Sequence, residues 1–210
     1  MSQLLTAQDR EAIAAIQAKI IGWSGAPQYG FFKGALAARP DIEKILMVGV
    51  YYGRDIAFIL DVLARYHPER KVSITGVDKF SEERCADWRA EAGNWEQHTH
   101  GMPAPNIAKA TANLIPLGGN LALIKSDDLT YFANHQGTFD LIYLDAAHDL
   151  ESVRAQFAAV RRICRTETII AGDDYSNENG WGVKTAVNEA FAHFNLMDDW
   201  VWWGVVEDLK

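Results

Sequence analysis

The chain has 210 residues, 49% of them hydrophobic and 23% charged, with a formal net charge of −8. That length suits one domain with a full core and is short for two, and the composition excludes a largely disordered chain. The negative balance repels phosphate backbones, and the longest apolar runs, such as 45–52, are far too short to cross a bilayer, so neither nucleic acid nor a membrane is an expected partner.

Thr6 followed by Gln8, Asp9 and Glu11 reads as a helix start, and Ile13, Ile16, Ile20 and Ile21 then share one helical face over 7–21. Pro27 and Gly30 break that pattern, and a second short helix is expected over about 30–38, ending before Pro40. From there strands and helices alternate. Residues 45–50 form a continuous apolar run, as a parallel strand buried on both faces requires, and 56–66 read as a helix stopped by Pro68. Further strands are expected at 72–78, 121–124, 139–144 and 168–171, separated by helices near 105–116, 127–135, 149–163 and 182–193. The aromatic tail 200–206 reads as a last strand with a partner around 194–197. Arg161, Arg162 and Arg165, the densest basic stretch, read as a solvated helix end.

This alternation implies an α/β fold: a doubly wound, mostly parallel sheet with helices on both faces, as one domain over 1–210 with N-terminal helices in 1–40. Segment 79–105 interrupts the second crossover with Trp88, Trp95, His98, His100, Met102 and two prolines, and is either a lid or a surface insertion. Cys85 and Cys164 are too few for a disulfide framework, and with no signal-peptide pattern the expected compartment is cytoplasmic.

The candidate chemistry falls where such a sheet binds ligands, at the carboxyl ends of its strands. Gly49-Val50-Tyr51-Tyr52-Gly53 is a two-glycine loop between the first strand and its helix, suited to close backbone approach to a nucleotide. Asp78 ends the second strand, where a carboxylate can accept both hydroxyls of a ribose; a turn or cap role is the alternative. Ser126 and Asp127 follow the third strand, where an adenine edge would lie, and each reads equally well as a helix cap. Asp145 ends the fourth strand, and Asp173 and Asp174 end the fifth. Neighbouring parallel strands lie about 4.8 Å apart, so these acids can converge, and a divalent cation such as Mg²⁺ would remove their repulsion. His148, three residues past Asp145, could take a proton there, and Lys184 could compensate charge.

Met47-Val48-Gly49-Val50-Tyr51-Tyr52-Gly53-Arg54, Gly76-Val77-Asp78, Tyr143-Leu144-Asp145-Ala146-Ala147-His148, and Ile170-Ala171-Gly172-Asp173-Asp174-Tyr175 with Gly182-Val183-Lys184 stand in order across about 40–195. Together they resemble the small class I S-adenosylmethionine-dependent methyltransferases related to macrocin O-methyltransferase and the cephalosporin-biosynthesis methyltransferase/hydroxylase group. The acid spacing is also similar to that of catechol O-methyltransferase-like enzymes. The resemblance implies a seven-stranded Rossmann-like sheet and S-adenosylmethionine over the glycine loop, with Asp78 on the ribose. It also implies a divalent metal on Asp145, Asp173 and Asp174, and a base at or near His148. Gly49, Tyr51, Gly53, Asp55, Ser126, Asp127 and Asp145 complete the expected cofactor contacts.

The sequence departs from that family in three places. Met47 stands where an acid usually precedes the first glycine by two residues, Asp55 stands where a serine is frequent, and Ala146 replaces a common glycine. The expected activity is metal-dependent O-methylation of a small hydroxylated molecule, with Trp181 and 79–105 as acceptor-pocket candidates. The alternatives are carboxyl or N-methylation, hydroxylase- or cyclase-like chemistry, or a non-catalytic binding protein on a degenerate fold with Trp200, Trp202 and Trp203 as its partner surface. Aromatic edge strands allow a homodimer.

Overall fold

The computed structural model describes residues 5–81 and 102–210. Within them seven helices, α1 (Ala7–Lys19), α2 (Ala26–Ala38), α3 (Arg54–Tyr66), α4 (Ile107–Leu114), α5 (Asp128–Asn134), α6 (Leu150–Val160) and α7 (Val183–Ala190), pack around one sheet. Its strands are β1 (Lys44–Val48), β2 (Ser73–Asp78), β3 (Asn120–Lys125), β4 (Phe139–Leu144), β5 (Cys164–Gly172), β6 (Asn195–Met197) and β7 (Val201–Val205), in the order β3-β2-β1-β4-β5-β7-β6. The first five are parallel, and β7 pairs antiparallel with both β5 and β6. The strand order reverses between β1 and β4, the point where such sheets open a crevice at their carboxyl edge.

Side chains alternate across the sheet and define two cores. Ile45, Met47, Leu141, Tyr143, Ile169 and Ala171 face a layer built from α1, α2 and α3. Leu46, Val48, Ile142, Leu144 and Ile170 face the opposite layer of α5, α6 and α7. β4 is buried at every position, which explains its unbroken apolar run.

The expected elements are all present, with two instructive differences at their bounds. α2 starts at Ala26 and not near residue 30: Pro27 sits in its first turn, where a missing N–H costs nothing, and Gly30 packs against Met197, so neither breaks the helix. Arg165 is not at a helix end. It lies in β5 and pairs with Asp140 and Asp41, while Arg161 and Arg162 form a short 3-10 turn after α6. Trp202 is buried in the second core and Trp203 packs partly buried on the first, as strand aromatics do, leaving Trp200 more exposed. No helix among the described residues is long and apolar enough to cross a membrane.

Candidate active site at the carboxyl edge

The glycine loop is fixed from two sides. Gly49 has φ +89°, and a Cβ there would lie 1.9 Å from the Asp145 carbonyl oxygen, so only glycine lets the loop pass this close to the end of β4. Gly53, φ +91°, caps α3 and lies against Leu114. From the other side Asp78, 5% exposed, clamps the loop: its Oδ2 accepts from the Val50 and Tyr51 N–H groups at 2.8 and 2.9 Å, and its Oδ1 accepts from Phe80 N–H at 2.8 Å. Asp78 therefore shapes the turn, and lone pairs on Oδ1 stay open to a further donor.

Tyr51, held at φ +53°, donates from its hydroxyl to Pro103 O at 2.6 Å and packs on Trp23. Tyr52 donates to Ala104 O at 3.0 Å. The two tyrosines thus hold the returning end of segment 79–105; its residues 82–101, with Cys85, Trp88, Trp95, His98 and His100, lie outside the described residues. Asp127 caps α5 by accepting from Thr130 N–H and pairs with Lys79 at 3.1 Å, while the Ser126 N–H donates to the Asp78 carbonyl.

The acids divide into two groups. Asp145, His148 and Asp174 each bring a ligand atom within 4.8 Å of the others. His148 Nε2 lies 2.7 Å from Asp174 Oδ2 and 3.7 Å from Asp145 Oδ1. Burial disfavours the charged imidazole, but hydrogen bonds and charge from Asp145 and Asp174 outweigh it and hold the His148 pKa up at about 9. Asp174 reaches this position from a left-handed backbone, φ +57°. Trp181 stacks on the His148 ring with centroids 5.1 Å apart, and Trp200 meets Trp181 edge-on. Lys184 places its ammonium over the Tyr175 ring.

Asp173 does not join that group. It turns beneath α2, where its Oδ2 accepts from Gln28 Nε2 at 2.7 Å. Gln28 is itself oriented by accepting from Gly25 N–H at 2.8 Å. Asp55 lies on the same side, its Oδ2 accepting from Ser24 Oγ at 2.6 Å. Burial first, then the Asp145 charge, pushes the Asp55 carboxyl up to about 7, and burial with the charges of Asp145, Asp174 and Asp55 raises Asp173 well above its usual range. Gln28, Ser24 and Tyr143 were not legible as site residues. The available signal was a polar group on an otherwise apolar face: Gln28 between aromatic and small residues of α2, and Tyr143 in β4 on the same side as Met47.

A doubly wound sheet of this order, with a glycine loop laid on the end of β4 and facing carboxylates, is the architecture of a class I methyltransferase. Residues 46–175, more than half of the chain, match the family described as Methyltransferase domain, and the chain belongs to it: it is an S-adenosylmethionine-dependent methyltransferase. No curated protein matches the chain. Among solved structures it is similar to an O-methyltransferase from Bacillus cereus in complex with S-adenosylhomocysteine (TM-score 0.55, 16% identity, 97% of this chain and 93% of that one). It is also similar to a methyltransferase from Podospora anserina bound to S-adenosylhomocysteine (0.59, 14%, 92% and 85%) and to the TDP-rhamnose 3′-O-methyltransferase of calicheamicin biosynthesis (0.56, 17%, 97% and 83%). At such identities the likeness is one of fold.

Proposed function

We propose that this enzyme transfers the methyl group of S-adenosylmethionine to a hydroxyl of a small molecule, with a divalent cation at the β4–β5 edge. The observation that carries the reading is the convergence of Asp145, His148 and Asp174 beside the glycine loop. Two carboxylates and an imidazole form a donor set of hard oxygens with one nitrogen, which fits Mg²⁺ or Mn²⁺. Asp145 and Asp174 would hold that cation, and Asp173, turned toward Gln28, would join only by changing rotamer.

Bound S-adenosylmethionine supplies a methyl group already activated on sulfur, and a cation supplies a Lewis acid that lowers the pKa of the acceptor hydroxyl. The chain's residues do the rest. Asp78 and the loop N–H groups fix the turn over which the nucleoside lies, with Asp78 Oδ1 as the acceptor for a ribose hydroxyl. With a cation neutralising Asp145 and Asp174, the charge that holds the His148 pKa up at about 9 is withdrawn, and the neutral imidazole, stacked on Trp181, is placed to receive the acceptor's proton. Trp181 and Trp200, next to a cleft lined by Tyr175, Ser176, Asn177 and Lys184, offer flat apolar faces and hydrogen-bonding groups, a combination suited to a phenolic or sugar ring. The O-methyltransferase names of two structural neighbours agree with a hydroxyl acceptor.

The test is transfer of a labelled methyl group to a panel of catechol and sugar acceptors, with Mg²⁺ and with a chelator. Metal-dependent transfer that falls about a hundredfold or more in Asp145→Asn and His148→Ala is the expected result, since general acid–base catalysis alone contributes on that scale. Transfer indifferent to chelation and to both substitutions would overturn the reading.

A further inference from the structure

Two buried acids beneath α2 carry oxygen atoms that nothing in the described residues satisfies. Asp55 and Asp173 are each 8% exposed, and one oxygen of each, Oδ1, has no hydrogen-bond partner. The buried Tyr143 hydroxyl is likewise unpartnered, and the charges of Asp173 and Asp55 bear on it. Buried polar atoms are rarely left unpaired, and a buried carboxylate without a counter-charge is costly. Arg54 is the neighbouring cation and its charge bears on Asp55, but the hydrogen bonds of its guanidinium go to the Ile20, Ser24 and Gln17 carbonyls and none to the carboxylate. Among the described residues neither acid makes an ion pair.

Asp55 is the more telling of the two because of where it sits. It is the second residue of α3, directly after the glycine loop, on the side of the loop facing Asp145. Met47, paired with Tyr143 in the β1–β4 register, adds no charge to this face. A cationic donor at the open Oδ1 favours the ionised form of this buried carboxyl, which only accepts hydrogen bonds and repels a carboxylate. A nucleoside lying toward Asp78 at β2, with its methyl directed to Asp145 and His148, has one arm left to place, the amino acid.

We infer that Asp55 anchors the α-ammonium group of the S-adenosylmethionine amino-acid arm through its open Oδ1, supplying from α3 the negative charge absent at position 47. Ser24 holds the other oxygen and fixes the carboxylate's direction. The assignment rests on the cofactor site proposed above.

Isothermal titration with two probes separates the possibilities. S-Adenosylhomocysteine carries the amino-acid arm; 5′-methylthioadenosine keeps the nucleoside and sulfur but lacks it. In Asp55→Asn and Asp55→Ser, S-adenosylhomocysteine is expected to bind about tenfold more weakly or worse, the scale of one lost charge-assisted hydrogen bond, with 5′-methylthioadenosine binding unchanged. Two variants guard against a folding defect, and both are expected to keep or raise the ligand-free Tm because they remove a buried charge. Wild-type affinity for S-adenosylhomocysteine in both variants, or an equal loss for both probes, overturns the assignment. Failure of the wild-type chain to bind either probe refutes the nucleoside site itself, and this anchor with it.

Discussion

At the scale of single residues, the loop between β1 and α3 is held by contacts that tolerate little change. Gly49→Ala would drive a Cβ into the Asp145 carbonyl at a positive φ, so the backbone of either the loop or β4 must move. A loss of about 3 kcal/mol or more in urea unfolding is expected, at the upper end for overpacking with added backbone strain. Asp78→Ala would strip three N–H groups of their acceptor. Each buried donor left unsatisfied costs about 1–3 kcal/mol, so stability should fall by several kcal/mol unless water enters. Asp78→Asn, which keeps one carbonyl oxygen, should lose less; an Asp78→Ala variant as stable as wild type would show that the clamp does not matter.

At the scale of elements, α1 is docked through one buried acid. Asp9 closes the capping box with Thr6 and accepts from Lys33 of α2 at 2.8 Å and from Tyr66 of α3 at 2.5 Å. Burial pushes its carboxyl up, but these hydrogen bonds outweigh burial and hold it well below the usual carboxylate range. A depressed folded-state pKa adds stability above the unfolded value, about 3.9, and that stability is lost as pH falls through the range below it. Wild type should therefore lose stability on acidification below about pH 4 more steeply than Asp9→Asn, as read from urea midpoints across pH. Asp9→Ala at neutral pH should cost about 3–5 kcal/mol, because the Lys33 ammonium loses its buried partner.

At the scale of the whole molecule, a ligand that bridges the β2 and β4 ends of the sheet couples both cores. S-Adenosylhomocysteine at one hundred times its Kd should add about 2.7 kcal/mol by mass action. For a chain of this size that corresponds to a rise in Tm of about 5–10 °C by calorimetry, and no rise at saturating ligand would count against a native-state site. Much of this scale was legible beforehand. The apolar runs at 45–50 and 139–144 and the aromatic tail announced buried strands, because side-chain period is a local property that burial imposes on each segment separately. The positions of Gly49, Asp78, Asp145 and Asp174 at strand ends followed from the same pattern.

What the sequence by itself determined was the layered sheet and which residues stand at its carboxyl edge, since both follow from local periodicity and from where each run stops. What only the tertiary structure decided was the direction of the side chains at that edge. Asp173 and Asp174 are neighbours in sequence, yet one meets Gln28, 145 positions away, and the other meets His148. Asp9 reads as a first-turn surface acid until α2 and α3 bury it. Such choices depend on which partner packing brings within hydrogen-bond reach, and no local pattern carries that information.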